Sequence, residues 1–253
     1  MIFAAMKLFK KSRRSPAEIP TESAEAASQI LNEAINFAAR CIFIAIPKTG
    51  TTTVRDQLCE QGVPLIPNSH LDILQIRDSL YVFLLINALG KNTTFPSDTV
   101  PADADIRTRA DEIFRSFFKF SAVRNPWARA VSLYSRREGV QLKDKMSFDQ
   151  FCERHFYASD TCQHPTLHKN QIDWLCDEDG QCIMDYVYKL EEFDIAAQEI
   201  ASRTDGRIKL VNQSANVNPD SNATNYRELY TEKTKRIIAT RFERDIDHFG
   251  YVF

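Results

Sequence analysis

The sequence lacks any strong excess of charge. Its 253 residues include 32 Lys and Arg against 34 Asp and Glu, which gives a formal net charge of −2. General nucleic-acid binders carry a large excess of positive charge, so the composition argues against that class. A site for an anionic ligand must therefore come from a local concentration of lysine and arginine.

The sequence also lacks a hydrophobic run long enough to cross a membrane. Its longest apolar run, residues 80–86 with Ala88 and Leu89 beyond, is shorter than the roughly 20 residues that a bilayer requires. The N-terminus has its basic cluster after a brief apolar start, the reverse of a secretory signal. We expect no transmembrane segment and a cytoplasmic protein, with weak contact of the N-terminal tail to a membrane surface as the alternative.

Zinc-type cysteine spacing is absent too. None of the six cysteines forms a CxxC pair, and the sequence has no obvious carboxylate cluster for magnesium, so no metal is expected. Cys176 and Cys182 bracket the turn-like run 177–181 and could bridge a hairpin. Because disulfides are rare in a reducing compartment, the interpretation of the cysteines as small hydrophobic residues is favoured.

What the sequence does contain is a strand, a tight turn and a helix start within residues 41–58. Residues 41–46 are apolar and rich in β-branched side chains, the pattern of a strand buried on both faces. The turn and helix start then supply a lysine, a glycine and hydroxyl groups through Pro47, Lys48, Thr49, Gly50, Thr51, Thr52 and Thr53. A helix start binds anions through its N–H groups and dipole, so this run predicts a site for a phosphorylated ligand.

A second strand–turn–helix unit lies further along the chain. Residues 117–123 predict a strand, and Arg124 stands at its C-terminal end. Asn125 suits a helix N-cap, Pro126 suits the first helical position, and Ser132 lies two turns into that helix. Ligands of parallel α/β sheets bind at such strand ends. Two units of this kind indicate one ligand with two separated anionic ends.

The rest of the pattern predicts an α/β protein with one domain over residues 26–253, after a disordered tail over residues 1–25. Helices are expected over 26–40, 71–89, 102–115, 147–157, 191–202 and 231–248, and further strands over 63–67, 185–190 and 207–212. Polar loops are expected over 91–101, 158–170 and 213–225.

Both units and the C-terminal part of the chain resemble the sulfotransferases that use 3′-phosphoadenosine 5′-phosphosulfate (PAPS). The resemblance is closest to the branch with carbohydrate 2-O-sulfotransferases and many bacterial relatives. It rests on 47–53, on Val123-Arg124-Asn125-Pro126-Trp127 with Ser132, on Tyr188-Lys189-Leu190-Glu191, on 226–230, on Asp245-Ile246 and on 249–253. Many relatives have arginine where this chain has Leu190. The resemblance implies a three-layer, P-loop-like core with a central parallel sheet flanked by helices.

The resemblance also implies a donor site. Residues 47–53 would hold the 5′-phosphosulfate of PAPS, and Lys48 would stabilise the charge that builds during sulfuryl transfer without a metal. Arg124 and Ser132 would hold the 3′-phosphate, and Tyr226 and Arg227 belong to the matching tail and are further candidates for cofactor binding.

The acceptor side is implied less directly. The acceptor would be a hydroxyl group, expected on a saccharide or polysaccharide, and PAP would be the second product. His70 would be the general base, since relatives carry a catalytic histidine in this position between the two cofactor motifs. His164 and His168 compete for that role or contact the acceptor, and Glu191 is a further candidate for a polar contact.

Two alternatives remain open at this stage. An ATP-dependent kinase would need a lysine after the second glycine of a Walker A loop, whereas Lys48 precedes the only glycine here. A catalytically inactive relative could use the same residues to bind a nucleotide or glycan as a recognition module.

Overall fold

The computed structural model describes residues 29–90, 102–135, 146–157, 169–212 and 225–253. The predicted tail over 1–25 and the predicted loop over 91–101 lie outside these ranges. Of the other two predicted loops, 158–170 and 213–225, the parts 158–168 and 213–224 also lie outside these ranges. Within the described ranges, no helix combines the length and the apolar character needed to cross a membrane.

The strands are β1 (Gln29–Ile30), β2 (Ile35–Asn36), β3 (Cys41–Ile44), β4 (Val63–Pro64), β5 (Phe118–Val123) and β6 (Tyr186–Lys189). The central sheet has the order β2-β3-β5-β6, and β1 pairs with β4 separately. β3, β5 and β6 run parallel, whereas β2 is antiparallel to β3. The predicted buried strands at 41–46 and 117–123 are therefore confirmed. They lie next to each other at the centre of the sheet.

The α-helices are α1 (Thr51–Leu58), α2 (Ile73–Gly90), α3 (Asp103–Ser116), α4 (Pro126–Tyr134), α5 (Phe148–Cys152), α6 (Phe193–Arg203), α7 (Glu232–Arg241) and α8 (Glu243–Phe249). A π-helix continues α5 over Glu153–Tyr157, and short 3-10 turns form at Ile172–Trp174, Leu190–Glu192 and Tyr226–Leu229. The predicted N-cap is confirmed, because Asn125 accepts from the N–H groups of Trp127 and Ala128. Ser147 also forms a capping box with Gln150 at the start of α5.

Helices cover both faces of the sheet. Successive residues of β3 point to opposite faces, and the side chains on each face pack against helices. Ile42 and Ile44 pack with α2, α3, α4 and α7 on one face. Cys41 and Phe43 pack with α1 and α6 on the other face, where Phe120 of β5 joins them. The structure is thus a mixed α/β fold in which a sheet containing parallel strands is flanked by helices.

The prediction of a helix over residues 26–40 is wrong. Its described part forms β1 and β2, and the buried Asn32 between them accounts for the difference. The Asn32 side chain donates to the carbonyl groups of Ile66 and Asn68, at 2.9 and 2.6 Å, and accepts from the N–H of Ala34. These bonds to a distant segment satisfy the amide only when the local backbone is extended and turned.

Two further predictions need correction. Residues 207–212 are not a strand, because the Gln57 side chain of α1 bonds both the N–H and the carbonyl of Val211, at 2.8 and 2.9 Å. The single helix expected over 231–248 is divided at Phe242 into α7 and α8. The buried Phe242 side chain packs in the core cluster at this break.

Candidate active site

Three segments meet at one edge of the sheet. Because β3, β5 and β6 are parallel and neighbouring, the residues that follow them lie at the same edge. These residues are 45–50 after β3, Arg124 and Asn125 after β5, and Leu190–Glu192 after β6. The two predicted strand–turn–helix units therefore end at the same edge of the sheet.

The turn after β3 has an unusual backbone. Lys48 and Gly50 both adopt positive φ, 70° and 74°, so the chain reverses tightly before α1 begins at Thr51. The buried Thr49 hydroxyl donates to the carbonyl of Ile46 at 2.9 Å, which fixes the turn. No side chain caps α1, and no acidic residue lies in its first turn. The start of α1 therefore suits an anion.

Leu190, after β6, packs directly on this turn. A Cβ atom built on Gly50 would lie 2.5 Å from Cδ1 of Leu190, well inside van der Waals contact. The backbone angle and the close packing of Leu190 therefore both favour glycine at position 50.

Arg124 connects the two units. Its Nη1 donates to the carbonyl of Lys48 at 3.4 Å, so the guanidinium reaches across from the end of β5 to the turn after β3. Burial lowers the pKa of Arg124, while the nearby Glu191 and Tyr251 act in the opposite direction. An arginine stays cationic under these conditions, so Arg124 supplies positive charge at the sheet edge.

Gln171 holds Arg124 in position, which the sequence did not reveal. Its Oε1 accepts from the N–H of Arg124 and its Nε2 donates to the carbonyl of the same residue, both at 2.9 Å. Asp245 accepts from the N–H groups of Gln171 and Ile172 and from Gln171 Nε2. Both Gln171 and Asp245 are fully buried, and burial raises the pKa of Asp245. In the sequence, the only indication of this hydrogen-bond network is that Asp245-Ile246 belongs to the matching C-terminal part of the chain.

Arg129 is a second cation that binds the turn. It lies on α4 with 1% of its surface exposed, and its Nε donates to the carbonyl of Pro47 at 3.1 Å. Burial lowers the pKa of Arg129 to about 10, opposed by the nearby carboxylate of Asp245. Sequence reasoning gave no functional role to Arg129, because its contact with residue 47 depends on the tertiary fold.

Glu191 contacts the backbone of the second unit. Its Oε1 accepts from the N–H of Asn125 at 2.9 Å, and its Oε2 accepts from the hydroxyl of Tyr251 at 3.5 Å. Asn125 Nδ2 in turn donates to the carbonyl of Val252. The residue predicted to contact the acceptor thus also joins β6, the start of α4 and the C-terminal segment.

His70 lies beside the turn after β3. Its Nδ1 is 2.6 Å from the carbonyl oxygen of Ala45, and its backbone N–H donates to Asn68 Oδ1. An N–H on Nδ1 pointing at a carbonyl sets the tautomer of the neutral ring, with the lone pair on Nε2. The structure thus brings together His70, the turn that holds Lys48, and Arg124.

The remaining predicted residues differ in how far the structure describes them. Ser132 is half-buried on α4. Tyr226 and Arg227 form a turn that packs against the start of α4, where Tyr230 donates to the carbonyl of Trp127 at 2.8 Å. The Arg227 guanidinium stacks 4.8 Å from the ring of Tyr226. His164 and His168 lie outside the described residues. In the part of the chain that is described, no group of three or more His, Cys, Asp or Glu side chains could hold a metal ion.

Comparison with known proteins identifies the family. The sequence pattern described as "Sulfotransferase family" matches residues 38–252, which include the turn after β3, Arg124, Gln171 and Asp245. Searches among curated proteins and among solved structures find no match. Since the match covers most of the chain, this protein belongs to the sulfotransferase family.

Proposed function

We propose that this chain transfers a sulfuryl group from PAPS to a hydroxyl group of a saccharide. The observation that supports this best is the meeting of Lys48, Arg124 and His70 at one sheet edge, linked through the carbonyl groups of Lys48 and Ala45. A donor with two anionic ends needs cations on two sides, and an acceptor hydroxyl needs a base.

The residues of the first unit fit the phosphosulfate end of PAPS. The uncapped start of α1 and the absence of an acidic residue in its first turn favour an anion there. We propose that Pro47, Lys48, Thr49, Gly50, Thr51, Thr52 and Thr53 hold this end, and that bound PAPS supplies the sulfuryl group. Because the Thr49 hydroxyl is already bonded to Ile46, Thr49 would contribute through its backbone N–H.

The second unit would hold the 3′-phosphate. Arg124 carries the positive charge for this role, and Ser132 adds a hydroxyl from the half-buried side of α4. Tyr226 and Arg227 pack against the start of α4, so they are proposed as further donor contacts. Gln171 would act as a positioning residue, because its side-chain bonds to Arg124 go to the backbone N–H and carbonyl of that residue.

Lys48 would stabilise the charge that develops on the transferred group. Replacement of an electrostatic contact of this kind typically costs on the order of 10²–10³ in kcat. Lys48→Ala should therefore lose at least that factor in turnover and keep its thermal midpoint. The exposed Lys209, replaced by alanine, is the matched control for loss of a lysine elsewhere. Near-normal turnover of Lys48→Ala would contradict the proposed role.

His70 would take the proton of the acceptor hydroxyl. The bond between Nδ1 and Ala45 directs the basic lone pair of the neutral ring to Nε2, and it anchors the imidazole beside the turn that holds Lys48. His164 and His168 remain candidates for acceptor contact. Glu191 also remains a candidate, although its carboxylate already binds Asn125 and Tyr251.

The finer description of the fold belongs to the same proposal. Residues 26–253 would form one domain with a three-layer, P-loop-like core. Support comes from the two hydrophobic clusters on opposite faces of the sheet, one with α2 and α4 and the other with α1 and α6. The choice of a saccharide as acceptor is supported by the resemblance of the sequence to the carbohydrate 2-O-sulfotransferase branch.

Ligand-induced thermal stabilisation tests the donor. A ligand that binds only the folded chain raises the thermal midpoint. We expect PAP to raise it for the unaltered chain and much less for Arg124→Ala. A rise only with ATP and magnesium would contradict the sulfotransferase proposal in favour of a kinase. PAP binding without transfer of labelled sulfate from PAPS to any of a panel of saccharides would favour the recognition module.

A further inference from the structure

A pair of cysteines outside the proposed active site lies directly opposed in a hairpin. Cys176 and Cys182 pair in an antiparallel bridge. The bridge is flanked by two hydrogen bonds, from the N–H of Asp177 to the carbonyl of Gln181 at 2.9 Å and from Ile183 to Leu175 at 3.1 Å. The cysteines therefore occupy a non-hydrogen-bonded pair, in which the Cα atoms lie about 4.5 Å apart. A disulfide spans Cα distances of roughly 4.4–6.8 Å, so this pair is within its reach.

The turn between the two cysteines keeps them in register. Asp177 Oδ1 accepts from the N–H groups of Asp179 and Gln181, at 3.1 and 2.8 Å. Gly180, with φ of 77°, donates to the carbonyl of Asp177. Glu178 at the tip accepts two bonds from the guanidinium of Arg77 on α2. The hairpin is thus anchored on α2, and formation of the bond requires little further ordering of the chain.

The two thiols differ in access. Both are free in the structure, with Cys182 exposed and Cys176 only 7% exposed. Burial, and to a lesser extent the facing Cys182, raise the pKa of Cys176. A buried thiol with a raised pKa is a poor first nucleophile, so an external oxidant meets Cys182 first. Cys176 is then the second thiol, held across the hairpin.

We propose that Cys176 and Cys182 are a reversible redox pair that a low-molecular-weight disulfide oxidises to a cross-strand disulfide. The Cys182 thiolate attacks one sulfur of that disulfide and releases one small thiolate. The Cys176 thiolate then attacks the Cys182 sulfur, forms the protein S–S bond and expels the second small thiolate. The two protons lost by the cysteines are taken up by the two released thiolates. The protein thiols lose two electrons, and the small disulfide gains them.

The Cys176–Cys182 disulfide would restrain a segment that adjoins the candidate active site. The first strand of the hairpin follows directly from the 3-10 turn Ile172–Trp174, and the N–H of Trp174 donates to the carbonyl of Gln171. The hairpin turn also holds α2, which begins shortly after His70. The pair itself does not depend on the sulfuryl-transfer proposal, because neither cysteine belongs to the proposed donor or acceptor site.

Thiol mapping of the full chain tests the pair without any activity assay. The reduced protein is titrated with mixtures of glutathione and glutathione disulfide, alkylated, digested and analysed by mass spectrometry. We expect a Cys176–Cys182 cross-link with the loss of two hydrogens, reversed by dithiothreitol. In Cys176→Ser, Cys182 should keep a glutathione adduct, because the second thiol is missing. The exposed Cys59 is the control, and Cys59→Ser should still form the cross-link.

Amide hydrogen exchange supplies the second measurement. Exchange over residues 171–183 should slow in the oxidised chain and return to its former rate on reduction. A lasting glutathione adduct on Cys182 in the unaltered chain, or a bond from Cys182 to a different cysteine, would overturn the redox pair. If amide exchange over residues 171–183 were unchanged in the cross-linked chain, the disulfide would not restrain that segment, and this part of the proposal would be overturned.

Discussion

At the scale of single residues, three side chains bind main-chain carbonyl groups of the turn after β3. His70 contacts the carbonyl of Ala45, Arg129 that of Pro47, and Arg124 that of Lys48. The N–H and C=O of a trans peptide point in opposite directions, so the N–H groups that follow Pro47 and Lys48 point away from these cations. The cations therefore orient the turn as well as adding positive charge.

Replacement of the proposed base should separate chemistry from donor binding. His70→Asn removes Nε2 as a proton acceptor, so kcat should fall on the order of 10²–10⁴-fold, while PAP still raises the thermal midpoint. His248→Asn, an exposed substitution near the end of α8, is the matched control. If His70→Asn kept its kcat, the base would have to be sought among His164 and His168.

Gln171→Glu tests the positioning of Arg124. The new carboxylate keeps an acceptor for the Arg124 N–H, but it replaces the Nε2 donor with an oxygen that faces Arg124 O and Asp245 Oδ2. A lost bond and a buried repulsion of this kind cost about 1–3 kcal/mol of folding stability. Because they also release the backbone of Arg124, the affinity for PAP should fall about tenfold.

Titration calorimetry with PAP measures this loss in affinity. Gln198→Glu on α6 adds the same charge at a position away from the candidate site and should bind PAP normally. A Gln171→Glu protein with unaltered PAP affinity would show that Arg124 does not need this clamp.

At the scale of elements, the regular parts of the fold follow from local sequence and the exceptions do not. β3 is predicted by an uninterrupted apolar run, β5 by a run rich in aromatic and apolar residues, and α4 by Asn125 followed by Pro126. The helical spacing within residues 26–40 misleads, since Asn32 bonds to a segment far along the chain. Gln57 likewise takes the backbone bonds that a strand at 207–212 would need. In both cases a side-chain hydrogen bond between distant parts of the chain overrides the local pattern.

Gly50→Ala tests the turn that joins β3 to α1. Alanine at φ of 74° costs about 1–2 kcal/mol, and its Cβ would lie 2.5 Å from Cδ1 of Leu190. Either the turn or the Leu190 side chain must therefore shift, and PAP-induced stabilisation should fall. Gly180→Ala is a close control, because Gly180 has φ of 77° and a Cβ added there would meet nothing within 4 Å, so only the backbone cost applies.

A second substitution separates the two costs at position 50. Leu190→Ala removes the side chain that Cβ would meet, so the double variant should recover part of the PAP-induced shift. Thermal scans of the unaltered chain, the two single variants and the double variant, with and without PAP, measure both costs. Equal behaviour of Gly50→Ala and Gly180→Ala would contradict a role for the Leu190 contact.

At the scale of the whole molecule, the site depends on residues far apart in the sequence. The sequence predicts Lys48 and Arg124 as site residues because each lies in a recognisable local pattern, whereas His70 is predicted only from the family resemblance. Gln171 lies in no such pattern and Asp245 is marked only by the resemblance at Asp245-Ile246, and the bonds between the two residues span 74 positions. Their function exists only after the 3-10 turn at 172–174 and α8 are brought together, so composition and periodicity carry no signal for it.

Truncation from the N-terminus tests where the folded domain begins. Residues 1–25 are polar and charged after a brief apolar start, whereas Leu31 and Ile35 are at most 1% exposed and belong to the core. Removal of 1–25 should leave the thermal midpoint and PAP binding unchanged, because little apolar surface is lost. Removal of 1–36 also deletes β1, β2 and Asn32, and each large buried side chain contributes about 2–5 kcal/mol. The longer truncation should therefore fail to fold, as judged by circular dichroism, and a large drop in midpoint from the shorter one would contradict a domain that begins near residue 26.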